Sequence, residues 1–204
     1  YFYLLFFLGV LVALYYLMPL KKRWLVLLGG SYFFYWLASG KLIVFLLITT
    51  VSVYLGALAM EREQQAFDSV RKSLEKEERK ARKAVMMRRK RHIVFAMVLI
   101  NVGLLAFLKY YHFFSANINA LGSHLEPGFQ LRLLMPLGIS FYTLSAVGYV
   151  IDIYRGQTAA DHHFGRLALF LSLFTNITEG PISRYDQLAG QAFEGHRADY
   201  RQFT

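Results

Sequence analysis

The stretch from Glu61 to His92, EREQQAFDSVRKSLEKEERKARKAVMMRRKRH, decides how the rest of the chain is read. It holds half of the chain's charged residues: twelve Lys or Arg and six Asp or Glu, a surplus of six in a chain whose formal net charge is +10. What lies outside it is correspondingly apolar, in a chain that is 56% hydrophobic, 17% aromatic and 18% charged. Such a distribution excludes a disordered chain, and it is the pattern of a membrane protein with one large polar loop. Within the stretch, Asp68/Lys72, Glu75/Arg79 and Glu78/Arg82 stand four apart with the acid first. That order supports a solvated helix, so 61–92 is predicted to be a cytoplasmic amphipathic helix and loop. Its final basic run, Arg88 to Arg91, adjoins the apolar stretch from Ile93, where cations meet anionic headgroups.

Working outward toward the first residue, three uncharged runs fill 1–60: Tyr1 to Met18, Trp24 to Gly40 and Leu42 to Met60. The first, at 1.5 Å per residue, reaches about 27 Å, close to the thickness of a bilayer core. It has neither a basic leading end nor a small-residue cleavage site, and two further apolar runs follow, so a span is expected there and not a signal peptide. In the other direction, 93–182 is expected to hold two more spans, Ile93 to Phe114 and Leu133 to Ile151, the second broken by Pro136 and Gly138. The apolar piece Leu167 to Ile177 is too short to cross and reads as re-entrant or half-buried, and 183–204 is a polar tail. The predicted fold class is therefore all-α: a polytopic membrane helical bundle of about five spans, a re-entrant segment and one basic cytoplasmic loop.

Counting bases in short loops sets the orientation. With 61–92 inside, Lys21, Lys22, Arg23, Arg155 and Arg166 fall on the same side, and Lys41 with the nearly neutral 115–132 loop falls opposite. The first residue should then face outside. A transporter half is disfavoured because the broken fifth span has no counterpart in the first half.

The residue inventory narrows the chemistry. There is no cysteine, which excludes thiolate catalysis and Cys-ligated zinc. His92, His112, His124, His162, His163 and His196 have no partner at metal-ligand helical spacing, so no metal site is expected. Asn176-Ile177-Thr178 has the form of a glycosylation acceptor but falls in the half-buried segment. Phosphate loops, dinucleotide fingerprints and serine elbows are absent, and the aromatics do not interleave with the basic run, which argues against nucleic acid as a partner.

Two motifs differ in kind. One runs MPLGISFYT from Met135 to Thr143 and continues as YVIDIYRG from Tyr149 to Gly156; the other is EGPISRY from Glu179 to Tyr185. A glycine-proline turn at membrane depth beside an acid and an arginine is costly unless it lines a protein-filled or watery cavity. With the clusters Leu14-Tyr15-Tyr16-Leu17, Ser31 to Trp36 and Leu108-Lys109-Tyr110-Tyr111, these motifs resemble the membrane-bound O-acyltransferase (MBOAT) superfamily, and within it the alginate O-acetyltransferase membrane-subunit branch. The D-alanyl-transferring branch, which modifies teichoic acids, is the nearest competitor; a non-enzymatic scaffold is the alternative of another class.

The resemblance implies an enzyme of the bacterial cytoplasmic membrane. It takes an acyl group from a cytoplasmic thioester, acetyl-CoA or a similar donor, and passes it toward an extracytoplasmic cell-surface polysaccharide. An extracytoplasmic acyltransferase or export protein would be its partner, with the bilayer around it and no bound cofactor. The tunnel or donor-binding candidates are Pro136, Gly138, Ser140, Tyr142, Gly180, Pro181 and Arg184. The family's essential histidine lies downstream of the Gly-Pro-Ile-x-Arg motif and beyond Thr204, so no residue here is assigned its role and these 204 residues alone are expected to be inactive.

Overall fold

The computed structural model describes residues 2–120, 136–179 and 184–193, with side chains at 5–110, 136–177, 184–189 and 192–193. Every described element is a helix: α1 (Phe2–Leu17), α2 (Arg23–Ser39), α3 (Ile43–Val70), α4 (Lys76–Ala120), α5 (Ile139–Arg155), α6 (Phe164–Ser172), α7 (Phe174–Glu179) and α8 (Tyr185–Phe193). Short 3₁₀ turns at Leu20–Lys22 and Gly40–Leu42 join the first three. Two helical stretches, Leu20–Val70 and Lys76–Tyr110, are long and apolar enough to cross a membrane; Leu5–Leu17 and Phe164–Ile177 are apolar but shorter.

The surface exposes many large apolar side chains, consistent with a membrane protein. Leu5, Phe6, Leu17, Leu37, Phe95 and Leu99 are each more than 60% exposed. A soluble monomer rarely shows so much contiguous apolar area. The core lies where α3, α4, α5 and α6 meet, around Leu46, Val53, Ala57, Met60, Ala146, Val150 and Leu167. Gly56 lets α3 and α4 approach closely: a Cβ there would stand 2.6 Å from the Met97 sulfur. Beside it Asn101, buried, donates to Met97 O (2.8 Å) and to Ser52 Oγ (3.2 Å), the kind of polar tie that holds helices together in a low-dielectric interior.

The polar stretch 61–92, expected as helix and loop, is two helical pieces joined by a turn. α3 carries it to Val70, the chain turns over 71–75, and α4 takes it up from Lys76. Across this arm Arg89 pairs with Glu63 (3.3 Å) and Lys90 donates to Gln64 (2.8 Å). The reason lies in Ser73, whose hydroxyl and amide both bond back to Val70 O, offering the backbone a turn in place of the next helical step. Asp68 is held by Gln64 (3.0 Å), not by the expected Lys72. Lys90 is buried although cationic, and burial lowers its pKa, with the Asp68 charge opposing.

The fifth expected span also changes shape. Among the described residues Pro136 and Gly138 lie ahead of a helix, since α5 starts at Ile139 with Gly138 as its left-handed N-cap (φ 65°). At the other end Gly156 (φ 73°) stops it: the Gly156 amide bonds Ile153 O (3.0 Å) and the Gln157 amide bonds Asp152 O (2.9 Å), a Schellman closure. The two motif glycines are thus the two ends of one helix.

Candidate functional site

Irregular backbone inside an apolar bundle must be satisfied by neighbours. Here α2 supplies them. Ser39 Oγ accepts from the Leu137 amide (3.1 Å), just ahead of α5, and Ser31 Oγ accepts from the Phe174 amide (3.3 Å), where α6 breaks at Leu173 before α7 begins. Two hydroxyls of α2 therefore hold the approach to α5, in the first motif, and the start of α7, ahead of the second. Gly138 then packs against α7 so tightly that a Cβ on it would lie 2.3 Å from Ile177 O. Nearby, Tyr142 and Tyr35 are fully buried with ring centroids 6.4 Å apart, and neither hydroxyl has a hydrogen-bond partner among the described residues.

The chain returns to the far end of α5 at Tyr185. That residue stacks with Tyr149 (4.9 Å) and Phe170 (5.2 Å) and donates its hydroxyl to Asp161 Oδ2. Asp161 is the hub of the loop between α5 and α6: its amide donates to Tyr149 Oη (3.0 Å), and its Oδ1 accepts the His163 amide (2.6 Å). Thr158 donates to Asp186 Oδ2 (2.6 Å), tying the same loop to α8. Burial first, and then the carboxylate of Asp161, push the Tyr185 phenol above its ordinary pKa, so it stays a proton donor to that carboxylate.

Two cavities flank Tyr185. One, of about 230 Å³, is lined by Ser145, Tyr149, Asp152, Phe170 and Arg184. The other, of about 400 Å³, is lined by Thr158, Asp161, His162, His163, Arg166 and Asp186. Arg184 is exposed and makes no ion pair with a described side chain. Arg166 sits over the Phe193 ring (5.2 Å) with its Nε buried and unbonded among the described residues. Each cavity thus has one guanidinium in its lining and shares Tyr185 in its wall, which suits an anionic, partly polar ligand.

The larger of these two cavities adjoins the root of the polar arm. His162 Nε2 stands 3.0 Å from Glu61 Oε2, and Tyr54 donates to His162 O (2.8 Å), so the α5–α6 loop rests on α3 where its charged portion begins. His162 and His163, read from sequence as a solvated pair, are exposed, and no group of three His, Asp or Glu side chains converges among the described residues.

The expected site residues do not form one cluster. Pro136, Gly138, half-buried Ser140 and Tyr142 lie at the start of α5, while Arg184 lines a cavity with Asp152, fourteen residues and about 21 Å further along that helix. Gly180 and Pro181 lie outside the described residues. Tyr149, Asp152 and Tyr185 stood inside the quoted motifs without being singled out, and an acid beside paired histidines was the only sequence signal for Asp161.

The fold and cavities define a class: an all-helical chain with apolar helices fit for a membrane and a polar site at one end of the bundle. Comparison with known proteins adds the chemistry. The chain is similar to the probable alginate O-acetylase AlgI of Pseudomonas syringae pv. tomato, 36% identical over 96 residues, 46% of this chain and 18% of that protein. It is similar to the protein of the same name from Pseudomonas aeruginosa, 33% identical over 96 residues with the same coverage. A peptidoglycan O-acetyltransferase of Helicobacter pylori is 31% identical over 119 residues, 46% of this chain and 22% of that protein. The matches thus span about a fifth of the length of these relatives. No family model and no solved structure matches. The chain has homologues among O-acetyltransferases, as the resemblance in its motifs implied.

Proposed function

We propose that this chain is part of a multi-pass membrane O-acetyltransferase that moves an acetyl group from a cytoplasmic thioester donor, such as acetyl-CoA, toward a cell-surface polysaccharide outside. The observation that carries this is its 31–36% identity to proteins named as O-acetyltransferases of alginate and peptidoglycan. Topology follows from charge: the arm formed by the ends of α3 and α4 lies in the cytoplasm, and the first residue lies outside. Because the larger of the cavities at Tyr185 adjoins the root of that arm, both face the donor side. The chain rises from this end through α6 to α7 beside Gly138 and is back at Asp161 by Tyr185, which supports a re-entrant path for 164–185. The acceptor would approach from the opposite end, and an extracytoplasmic partner would complete transfer to the exported polymer.

In this arrangement Arg184 meets an anionic group of the donor, and Tyr185 and Asp161 hold the wall against which the donor lies. The apolar bundle keeps water from the thioester. The described residues supply the wall and not the base that activates the acceptor. Replacing Arg184 by Ala in the intact enzyme is expected to lower polymer O-acetylation by at least tenfold while the membrane level of the protein stays unchanged, since the side chain is exposed. Unchanged acetylation removes Arg184 from the site, and transfer of D-alanine or transport without acyl transfer would replace the reading itself.

A further inference from the structure

A cavity of about 600 Å³ lies between α1 and α2, and its lining is almost wholly apolar: Phe7, Leu11, Leu14, Met18, Leu25 and Phe33 are among its walls. Leu11 and Gly30 form a floor where the helices nearly touch, since a Cβ on Gly30 would lie 2.3 Å from Leu11 Cδ1. Gly29, beside it, faces open space, with nothing within 4 Å of the position a Cβ would take. At one end the rings of Phe7 and Phe33 (6.3 Å) close the groove. At the other, the chain leaves α1 through Pro19 into the 3₁₀ turn that presents Lys21 and Lys22, both exposed. Arg23 braces that turn, donating from Nε to Met18 O (3.2 Å) and lying over the rings of Tyr15 and Tyr16 (5.1 and 5.2 Å).

The length of the groove and the charge at its mouth name one occupant. From Phe7 to Met18 is eleven helical steps, about 17 Å, close to the ~15 Å of a single leaflet's hydrocarbon. A cationic mouth on an apolar slot one leaflet deep matches an anionic phospholipid, with an acyl chain between the helices and its phosphate on the lysines. The geometry points to a headgroup-selective lipid site formed by α1, α2 and the Lys21-Lys22 turn, distinct from the acyl-transfer cavities. It rests on the membrane placement proposed above and goes beyond the acetyltransferase reading. An acyl chain seated there fills the gap that Gly29 leaves and fixes α1 against α2, whose Ser39 and Ser31 bond the approach to α5 and the start of α7.

The test is native mass spectrometry of the purified chain released from nanodiscs made of equal parts phosphatidylglycerol and phosphatidylcholine with identical acyl chains. The wild-type chain is expected to retain phosphatidylglycerol in preference, by about fivefold for each lysine facing the phosphate. Replacing both lysines, K21Q with K22Q, is expected to bring the two lipids to parity. Gly29→Leu, which fills the groove without meeting protein, is expected to reduce retention of both. Retention in proportion to the mixture by the wild type, or undiminished retention by Gly29→Leu, overturns the site. So does a lipid-free dimer, which would put a second copy in the groove. Should the lysine variant fail to insert, the wild-type competition and Gly29→Leu decide the matter. A wild-type chain that does not enter nanodiscs at all overturns the membrane placement as well, which separates the two failures.

Discussion

The arm made by the ends of α3 and α4 and the cluster at the far end of α5 adjoin in space but are held in opposite ways. In the arm, most charged side chains face outward and the ion pair across it is solvent-exposed, Arg89 in its pair with Glu63 being 65% exposed; Lys90, bonded to Gln64, is the buried exception. Along α5, which ends in the cluster, the ties are buried rings and hydroxyls around Tyr185 and Asp161, and the two helix ends are set by Gly138 and Gly156, both at positive φ. Exposed pairs are screened and weak, whereas groups withdrawn from water leave a desolvated partner when one is removed. Stability and site geometry should therefore depend on the cluster, and orientation on the arm.

The contrast can be broken from the cluster side first. Gly138→Ala is expected to cost about 3 kcal/mol, because it combines a strained positive φ with a Cβ driven onto Ile177 O. Gly156→Ala, which shares the positive φ but meets nothing within 4 Å, should cost about 1 kcal/mol. Equal costs in thermal or denaturant unfolding would mean that the α5–α7 contact is not as close as described. Tyr185→Phe should cost about 2 kcal/mol at neutral pH by leaving Asp161 without its phenol partner. The sign of its pH dependence follows from a raised phenol pKa. The folded state holds that proton more tightly, so its contribution is complete below the ordinary value of 10 and is lost as pH climbs above it. The Phe variant should lack this alkaline loss; an identical alkaline profile would count against the buried hydrogen bond. Smallest of all, Arg89→Ala should change stability by less than about 0.5 kcal/mol, and a larger loss would show the arm to be a structural element and not a hydrated projection.

Much of this was legible in the sequence for a physical reason. Helices in an apolar solvent announce themselves through long uncharged runs, and a hydrated arm through its charge, so the helices from α1 to α4 and the polar stretch between Met60 and Ile93 could be read directly. The turn over 71–75 could not, because favourable charge spacing continues through it while a serine's local bonds end the helix. The same holds for the motifs. Pro136 and Gly138 signal a break in either reading, and only the hydroxyl of Ser39, 98 positions away, shows that the break lies ahead of α5. Asp161 carries no periodicity at all; its importance comes from Tyr149 and Tyr185, which only the fold brings to it.

If a thioester donor is met at the cytoplasmic face, the Tyr185 cavities and the basic arm must share that face of the membrane. The absence of cysteine makes this directly measurable. Single cysteines at Ser73 in the arm, His163 at the cavity and Lys41 at the opposite end, all exposed, can be probed with a membrane-impermeant maleimide. In spheroplasts only Lys41→Cys should be labelled; in inverted membrane vesicles only Ser73→Cys and His163→Cys should be. Labelling of Ser73→Cys and His163→Cys from opposite faces, or of all three from both, would contradict it.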